Sequence, residues 1–343
     1  MKLSRKLIVT LASVATLGMG LAGCANGGGD TSESAKEEAP AATEEATEAA
    51  EDAAEGGAEG GAEVKSVGMT LQDLSNPFFA AMQEGMQAKA KEDGFDLNIQ
   101  DARQDVGTQS DQIDTFIQQG VDLILVTPVD TDGVGAAVGR AEAAGIKVVA
   151  VDASAAGASA EVTTDNTMAG QLACEALVQK LDGKGNILIV DGTPQTAVQD
   201  RIKGCEAYIA DFPDINVLAK QSGTNDRASA LQVTTDMLTA NAEVDGIFAI
   251  NDPSALGADL AVQQAGRDGI VIVGVDGSPE AVKAMTDEGS NLWASPAQDP
   301  ASMAIKGLEV GRDILAGNPP AESVILIDPF TVDRDNVNEY TGW

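Results

Sequence analysis

Short apolar runs alternate with longer amphipathic segments from Val64 onward, and this alternation restricts the possible folds more than any other feature. The runs are nearly continuous, as in Leu-Ile-Leu-Val at 123–126, which is typical of strands buried on both faces. Strands separated by helices of roughly 10 to 15 residues predict βαβ units and parallel sheets. Strands are predicted at Val64–Leu71, Asp96–Gln100, Asp122–Val126, Lys147–Val151, Asn186–Val190, Asn216–Gln221, Gly246–Ile250, Ile270–Val275 and Leu292–Ala294.

Polar residues stand just after most of these runs. Ligands of parallel sheets bind beyond the carboxyl ends of the strands. Each such residue could instead cap the helix that follows it, but the repetition at equivalent positions favours a shared pocket. Carboxylates and amides suit the paired hydrogen bonds that vicinal hydroxyls make. The residues are Asn76, Thr127, Asp152, Asp191, Asn251, Asp276 and Gln298.

The charge and composition of the chain exclude several classes of function. There are 54 acidic against 21 basic residues, a net charge of -33, and no histidine. Such an acidic chain repels phosphates, so we expect no nucleic-acid partner. The absence of histidine excludes His-based catalytic triads and His metal sites. The three cysteines have no metal-binding spacing, and we predict neither metal nor cofactor.

The amino terminus is typical of an exported lipoprotein. A basic start, Met1–Lys6, precedes an apolar run that ends in Leu-Ala-Gly-Cys24; the run is shorter than the roughly 20 residues of a membrane-spanning helix. The ending resembles a bacterial lipobox, which implies a signal peptide at 1–23 and lipidation of Cys24. Residues 24–63 are mostly Gly, Ala, Glu, Thr and Ser, so we predict a disordered acidic tether. The expected location is extracytoplasmic, with a lipid anchor in the membrane.

Two specific motifs, Asn76-Pro77-Phe78-Phe79 and Val273-Gly274-Val275-Asp276-Gly277, resemble those of type I periplasmic sugar-binding proteins, the ribose-binding family. The resemblance covers about Val64 to Phe330. Further matches follow in the order of the family, at Val151-Asp152, Thr164-Asp165-Asn166, Asp200-Arg201, Ala249-Ile250-Asn251-Asp252 and Ala297-Gln298.

The resemblance implies the α/β fold of type I periplasmic binding proteins: two similar lobes, each a parallel sheet flanked by helices, joined by a hinge of three crossovers. On this pattern the N-terminal lobe is 64–164 plus 299–327, and the C-terminal lobe is 165–298 plus 328–343. It also implies a function. The chain would be the substrate-binding component of an ABC importer, a monomer without enzymatic activity, which binds a small monosaccharide or polyol and delivers it to a membrane permease.

The family pattern also implies a set of ligand-binding residues. Asn76 would bond a hydroxyl, while Phe78 and Phe79 would pack on the apolar faces of the ring. A hydrophobic helix start could instead place these rings in the core; we expect one of the two there and Phe78 as the preferred plate. The other implied residues are Thr127, Asp152, Arg201, Asn225, Asn251, Asp276 and Gln298.

Three departures from the ribose pattern point to a ligand other than ribose. Ala153 stands where that pattern has an arginine, Asn225 where it has an aromatic residue, and Thr127 where it has an asparagine. Without the arginine, the pocket lacks a guanidinium that could donate two hydrogen bonds to the ligand. Without the aromatic residue, it lacks one ring that could stack on the ligand. We expect a neutral ligand because two aspartates in the implied pocket accompany one arginine.

Several alternatives stay open from the sequence. The same fold could bind an autoinducer, nucleoside or amino acid, or could serve a chemoreceptor. An NAD-dependent enzyme is a remote alternative, since the glycines at 133, 135 and 139 do not directly follow a strand as a dinucleotide motif requires. Cys174 and Cys205 both fall on predicted helices, either as a disulfide or as two buried thiols.

Overall fold

The computed structural model describes residues 62–343. The predicted signal peptide, the lipidation site Cys24 and nearly all of the predicted tether lie outside the described residues. Within 62–343, no helix combines the length and the apolar character needed to cross a membrane.

Six parallel strands form the first sheet, in the order β11-β5-β4-β3-β1-β2. Its strands are β1 (Ser66–Leu71), β2 (Asp96–Asp101), β3 (Leu123–Val126), β4 (Lys147–Val151), β5 (Ala160–Thr164) and β11 (Val324–Ile327). Five parallel strands form the second sheet, in the order β10-β9-β8-β6-β7. Its strands are β6 (Gly185–Asp191), β7 (Ile215–Ser222), β8 (Gly246–Ala249), β9 (Val271–Val273) and β10 (Leu292–Ala294). The predicted architecture of two parallel sheets is confirmed.

Helices cover both faces of each sheet. They are α1 (Pro77–Asp93), α2 (Val106–Gln119), α3 (Gly135–Ala143), α4 (Asn166–Lys180), α5 (Thr196–Ile209), α6 (Arg227–Ala240), α7 (Asp252–Gln264), α8 (Pro279–Thr286) and α9 (Pro300–Leu315), followed by a short 3-10 helix at Val337–Glu339. Helices α1 and α9 pack on one face of the first sheet, and α2 and α3 on the other. In the second sheet, α4 and α5 lie opposite α6, α7 and α8.

Successive strand residues divide between the two faces, as the period of two in a strand requires. In β3, Leu123 and Leu125 enter the core under α1 and α9, while Ile124 and Val126 face α2 and α3. All four side chains are fully buried. The continuous apolar runs of the sequence are therefore explained by burial on both faces.

Two strands were not among the sequence predictions. β5 and β11 pair with each other, with Val324 opposite Glu161, at the edge of the first sheet. Every second residue of β11 is exposed, and Ala-Glu-Val-Thr-Thr in β5 carries polar residues. Neither segment has the continuous apolar run that marked the other strands.

A disulfide joins the neighbouring helices α4 and α5. Cys174 and Cys205 are fully buried, and their Cα atoms are 5.1 Å apart, a normal separation for a bridge. Small residues bring the helices close: a Cβ on Gly170 would lie 1.9 Å from the carbonyl oxygen of Arg201, and one on Gly204 equally near that of Thr167. The structure thus decides between the two states of the cysteines that the sequence left open.

We predict that the double variant Cys174→Ala/Cys205→Ala unfolds at a lower denaturant concentration than the wild type. The bridge closes a loop of 31 residues, and the loss of such a constraint costs about 3–4 kcal/mol in the chain-entropy description. Denaturant unfolding of the two proteins, each with and without reductant, provides the measurement. Reductant should destabilise only the wild type; equal stability of the oxidised wild type and the variant would contradict the prediction.

Candidate functional site

A cleft lies among residues that follow the strands of both sheets. The structure brings nine of the ten predicted binding residues to its wall. Their part in ligand binding remains a prediction. The nine are Asn76, Phe78, Phe79, Asp152, Arg201, Asn225, Asn251, Asp276 and Gln298.

Two asparagines in the cleft both cap a helix and line the wall. The side-chain oxygen of Asn76 accepts a hydrogen bond from the N–H of Phe78 at 3.0 Å, at the start of α1. Asn251 accepts one from the N–H of Ser254, also at 3.0 Å, at the start of α7. These bonds satisfy backbone donors that a helix start leaves unpaired. Capping and cleft lining are therefore compatible roles, because the cap uses only the side-chain oxygen.

The aromatic wall of the cleft belongs to the core of the first lobe. Phe78 and Phe79 are each 4% exposed, and their rings meet edge to face with centroids 5.3 Å apart. Trp343 contacts Phe78 in the same way at 5.9 Å. Its indole N–H donates to the carbonyl oxygen of Asp276 at 2.9 Å. Trp343 therefore connects the aromatic wall of one lobe to the polar wall of the other.

Arg201 is the cation of the cleft, and it is only 5% exposed. Its Nε donates to Asn166 Oδ1 at 2.8 Å, and its Nη1 donates to the carbonyl oxygen of Ile250 at 2.8 Å. The same Nη1 lies 3.4 Å from Asp276 Oδ1. These partners hold the guanidinium rigidly, and a buried charge requires such pairing. Because Gly170 brings α4 against the backbone of Arg201, the packing of α4 on α5 sets the position of this side chain.

Gln298 lies where the chain returns from the second sheet to α9, and it links the two lobes. Its Nε2 donates to Asp276 Oδ1 at 2.7 Å. Its Oε1 accepts from the hydroxyl of Thr164, at the end of β5, at 2.6 Å. A single side chain thus connects a strand end of the first sheet to a cleft carboxylate of the second lobe.

Three buried carboxyl groups have raised pKa values. Burial raises the pKa of Asp152 to about 7, although the positive charge of Arg201 acts to lower that pKa. Burial also raises the pKa of Asp276 to about 6, again opposed by Arg201. Asp252 lies behind the wall and accepts from Ser295 Oγ at 2.5 Å; burial and then Asp276 raise its pKa to about 7. Charge on these groups is disfavoured unless a partner stabilises it.

Asp152 differs from the other two acids because its side chain accepts no hydrogen bond from residues 62–343. Its backbone has φ = +74°, a left-handed conformation that is uncommon outside glycine. Such conformations cluster at functional sites. The carboxylate therefore lies in the cleft wall with its acceptor positions available to a ligand.

The other predicted residues are used differently. Thr127 does not belong to the cleft wall, and its hydroxyl accepts from the N–H of Gln72 at 2.8 Å. Asn225 lines the cleft, but its side chain is bonded to Thr193. It accepts a hydrogen bond from the Thr193 N–H at 3.0 Å and donates one to the Thr193 hydroxyl at 2.9 Å. Ala153 is buried and lies outside the wall.

Sequence reasoning did not select two glutamines that line the cleft, Gln72 and Gln195. Gln72 directly follows β1, so the rule that identified the other strand-end residues applies to it as well. Gln195 stands before α5, where its Nε2 donates to the carbonyl of Val129 at 3.4 Å. Beside it, the hydroxyl of Thr196 accepts from the N–H of Ser154 at 2.8 Å. These contacts join the lobes across the cleft, in a closed arrangement.

Comparison with known proteins agrees with this geometry. Residues 67–319 match the model of the periplasmic binding protein domain. The chain belongs to the type I periplasmic binding proteins. The ribose import binding protein RbsB of Bacillus subtilis is 33% identical over 262 residues, which are 76% of this chain and 84% of the relative. The xylitol-binding protein of Mycolicibacterium smegmatis is 32% identical over 280 residues, 80% of this chain and 79% of the relative.

Solved structures of this family share the fold. An ABC transporter solute-binding protein of Actinobacillus succinogenes with bound D-allose has a TM-score of 0.75 and 30% identity, covering 80% of this chain and all of the other. One of Bacillus halodurans with bound myo-inositol has a TM-score of 0.74 and 28% identity, covering 83% of this chain and 99% of the other. The expected two-lobed fold of this family is thereby confirmed, and the family is one of extracytoplasmic, substrate-binding proteins.

We predict that Asp152→Asn stabilises the unliganded protein at pH 8 by at least about 1 kcal/mol. The folded-state pKa of about 7 exceeds the ordinary value of 3.8, so the folded protein binds more protons between these values. The contribution of Asp152 to the free energy of unfolding therefore falls as the pH rises from about 4 to about 7. The asparagine side chain of the variant does not ionise, so the variant does not lose this contribution to the free energy of unfolding. The groups facing Asp152 are Arg201, Asp276 and Glu161.

Urea unfolding from pH 4 to pH 8 measures the effect, and the variant should show a weaker decline with pH than the wild type. Asp122→Asn serves as the control of opposite sign. Burial raises the pKa of Asp122, but hydrogen bonds from Lys65 and Ser66 outweigh that effect and lower it overall. This control should destabilise the protein at pH 8. An Asp152→Asn variant less stable than the wild type at pH 8 would refute the assignment.

Proposed function

We propose that this protein is the extracytoplasmic substrate-binding component of an ABC importer and that it binds a small neutral monosaccharide or polyol between its lobes. The observation that carries the proposal is the cleft itself, where two phenylalanine rings face a wall of carboxylates, amides and one arginine. Sugars and cyclic polyols present the matching surface, with C–H faces for the rings and hydroxyls for the polar groups.

The charges in the cleft support a neutral ligand. Arg201 is already close to Asp276, and Asp152 adds a second acid to the wall. An anionic ligand would meet two carboxylates and one partly neutralised guanidinium. A hydroxylated ligand can donate to Asp152 and accept from Arg201 without introducing charge.

The named ligands of the relatives fall in the same chemical class. Their names or titles mention ribose, xylitol, D-allose and myo-inositol. Since Ala153 and Asn225 depart from the ribose pattern, we place the ligand among the neutral sugars and polyols other than ribose.

We further propose how the chain is organised around this function. Cys24 carries the lipid anchor, residues 24–63 are the tether, and the protein is a monomer that docks on a membrane permease and has no catalytic activity. The lobes are 64–164 plus 299–327 and 165–298 plus 328–343, a division that the membership of the two sheets supports. Ligand binding shifts the population from open to closed lobes, because only the closed form contacts the ligand from both sides.

Thermal unfolding against a panel of pentoses, hexoses, polyols, amino acids and nucleosides tests the ligand class. A ligand at 100 times its Kd stabilises the native state by about 2.7 kcal/mol, which is readily visible as an increase in Tm. A shift with a sugar or polyol is the expected result. A shift with only an amino acid or nucleoside would reject the proposed ligand class.

The cleft assignment is tested by Asp276→Asn, which we expect to raise the Kd for a sugar or polyol identified in the panel by about 10- to 100-fold. The reason is the loss of a charge-assisted hydrogen bond, which contributes about 1.5–3 kcal/mol. Calorimetric titration gives the Kd. Asp259→Asn is the matched control, because Asp259 is equally buried in the same lobe but bonds Ser290 and Asn291. Equal affinity of the Asp276 variant and the control would contradict the assignment.

Closure should change the fluorescence of Trp343. The chain has two tryptophans, and Trp293 lies under the ammonium group of Lys180, 3.5 Å from the ring centre, away from the cleft. In a Trp293→Phe variant, opening would separate the Trp343 indole, bonded to Asp276, from Phe78 and expose it to water. We therefore expect the emission to move to shorter wavelength when the sugar or polyol binds. Trp343→Phe should lose this response, and an unchanged spectrum in the Trp293→Phe variant would contradict closure.

A further inference from the structure

The two lobes differ in how their cleft groups are paired. On the second lobe, each polar side chain of the wall already has protein partners: Arg201 and Asp276 bond each other and their neighbours, Asn225 bonds Thr193, and Asn251 bonds Ser254 and the carbonyl of Asn225. This half of the wall is rigid and largely satisfied before any ligand arrives.

Gln72, on the first lobe, is in the opposite situation. It lines the cleft and is 1% exposed, yet its side-chain Oε1 has no hydrogen-bond partner within the described part of the chain. Its backbone is fixed on both sides, since its N–H donates to Thr127 Oγ1 at 2.8 Å and its carbonyl accepts from the N–H of Gln104 at 2.9 Å. The backbone of Gln72 is therefore held at the wall.

An unpaired buried amide is costly, and buried polar groups in proteins are nearly always hydrogen-bonded. A side chain of this kind at the wall of a binding cleft indicates a partner that comes from the ligand. Asp152 shares the cleft wall and also accepts no hydrogen bond from the described residues through its side chain. Both groups belong to the first lobe and both require donors.

We propose that Gln72 is a specificity-determining residue whose side-chain amide binds one hydroxyl of the sugar or polyol, while other hydroxyls donate to Asp152. This inference rests on the proposed function. The hydroxyl donates its proton to the Gln72 carbonyl oxygen. A ligand without a hydroxyl at that position leaves the amide unpaired in the closed cleft, and discrimination against such a ligand follows.

The decisive variant is Gln72→Leu, which keeps the approximate shape of the side chain and removes the amide. Two opposite effects are expected. The unliganded variant should have a higher Tm than the wild type, because an unpaired buried polar group is gone. Its Kd for xylitol, D-ribose or myo-inositol, whichever of these probes the wild type binds, should rise at least about tenfold. Gln72→Met provides the same test with an unbranched side chain, should the leucine variant fold poorly.

Thr234→Val is the matched control. Thr234 is fully buried on α6, its hydroxyl also has no partner among the described residues, and it lies outside the cleft wall. This substitution should raise the Tm in the same way and leave the Kd unchanged. Monodeoxy analogues of the bound probe then identify the hydroxyl: the Gln72 variants should bind the analogue that lacks it at least as tightly as the wild type does, because only the wild type leaves an amide unpaired.

The outcomes separate this inference from the proposed function. If the wild type binds a probe and both Gln72 variants bind it with the same Kd, the role of Gln72 is refuted and the proposed function stands. A lower Tm of both unliganded variants together with an unchanged Kd would assign Gln72 a purely structural role. If the wild type responds to no sugar or polyol in the panel, the proposed function fails and the inference about Gln72 fails with it.

Discussion

The burial of both faces of each parallel sheet is the constraint on which the rest of the molecule depends. Strands such as β3 and β4 send successive side chains into two separate cores, so neither face can carry polar groups. In such strands, polar residues are therefore confined to the strand ends and to the helix starts that follow them. When two such sheets are joined by crossovers, the carboxyl ends of their strands meet, and the cleft is built from whatever residues stand there. The same constraint that determines the fold thus determines where the site can be.

A single buried cation organises the polar wall. Arg201 is held by Asn166 and the carbonyl of Ile250, and it lowers the cost of charge on Asp276 and Asp152. Burial nevertheless dominates, because both acids retain raised pKa values. The position of Arg201 depends in turn on the close packing of α4 against α5, which Gly170, Gly204 and the disulfide between Cys174 and Cys205 allow. Packing far from the cleft is thereby linked to its electrostatics.

Much of this could be predicted from the sequence, and the failures have physical reasons. Apolar runs revealed the strands buried on both faces, whereas β5 and β11 escaped because their pairing joins segments about 160 residues apart and leaves an edge strand half exposed. Strand-end position and family resemblance correctly predicted nine residues that line the cleft. The tenth, Thr127, instead holds the backbone of Gln72. Trp343 lies beyond the resemblance and gave no local signal. The disulfide could not be decided without the distance between two helices.

The unequal pairing of the two walls bears on how closure is driven. The second lobe offers a rigid, internally bonded surface, so a ligand that binds there first disturbs little and loses little ordering entropy to the protein. The unpaired acceptors lie on the first lobe, at Gln72 and Asp152. In the open form water can solvate these groups; in the closed form Gln72 Oε1 is buried without a protein partner among the described residues, and a ligand hydroxyl can supply its donor. Closure around a ligand with hydroxyls in the right positions is therefore favoured over closure around an empty cleft. Such a ligand binds the closed form more tightly than the open form, and a ligand-driven shift of population requires this difference in affinity.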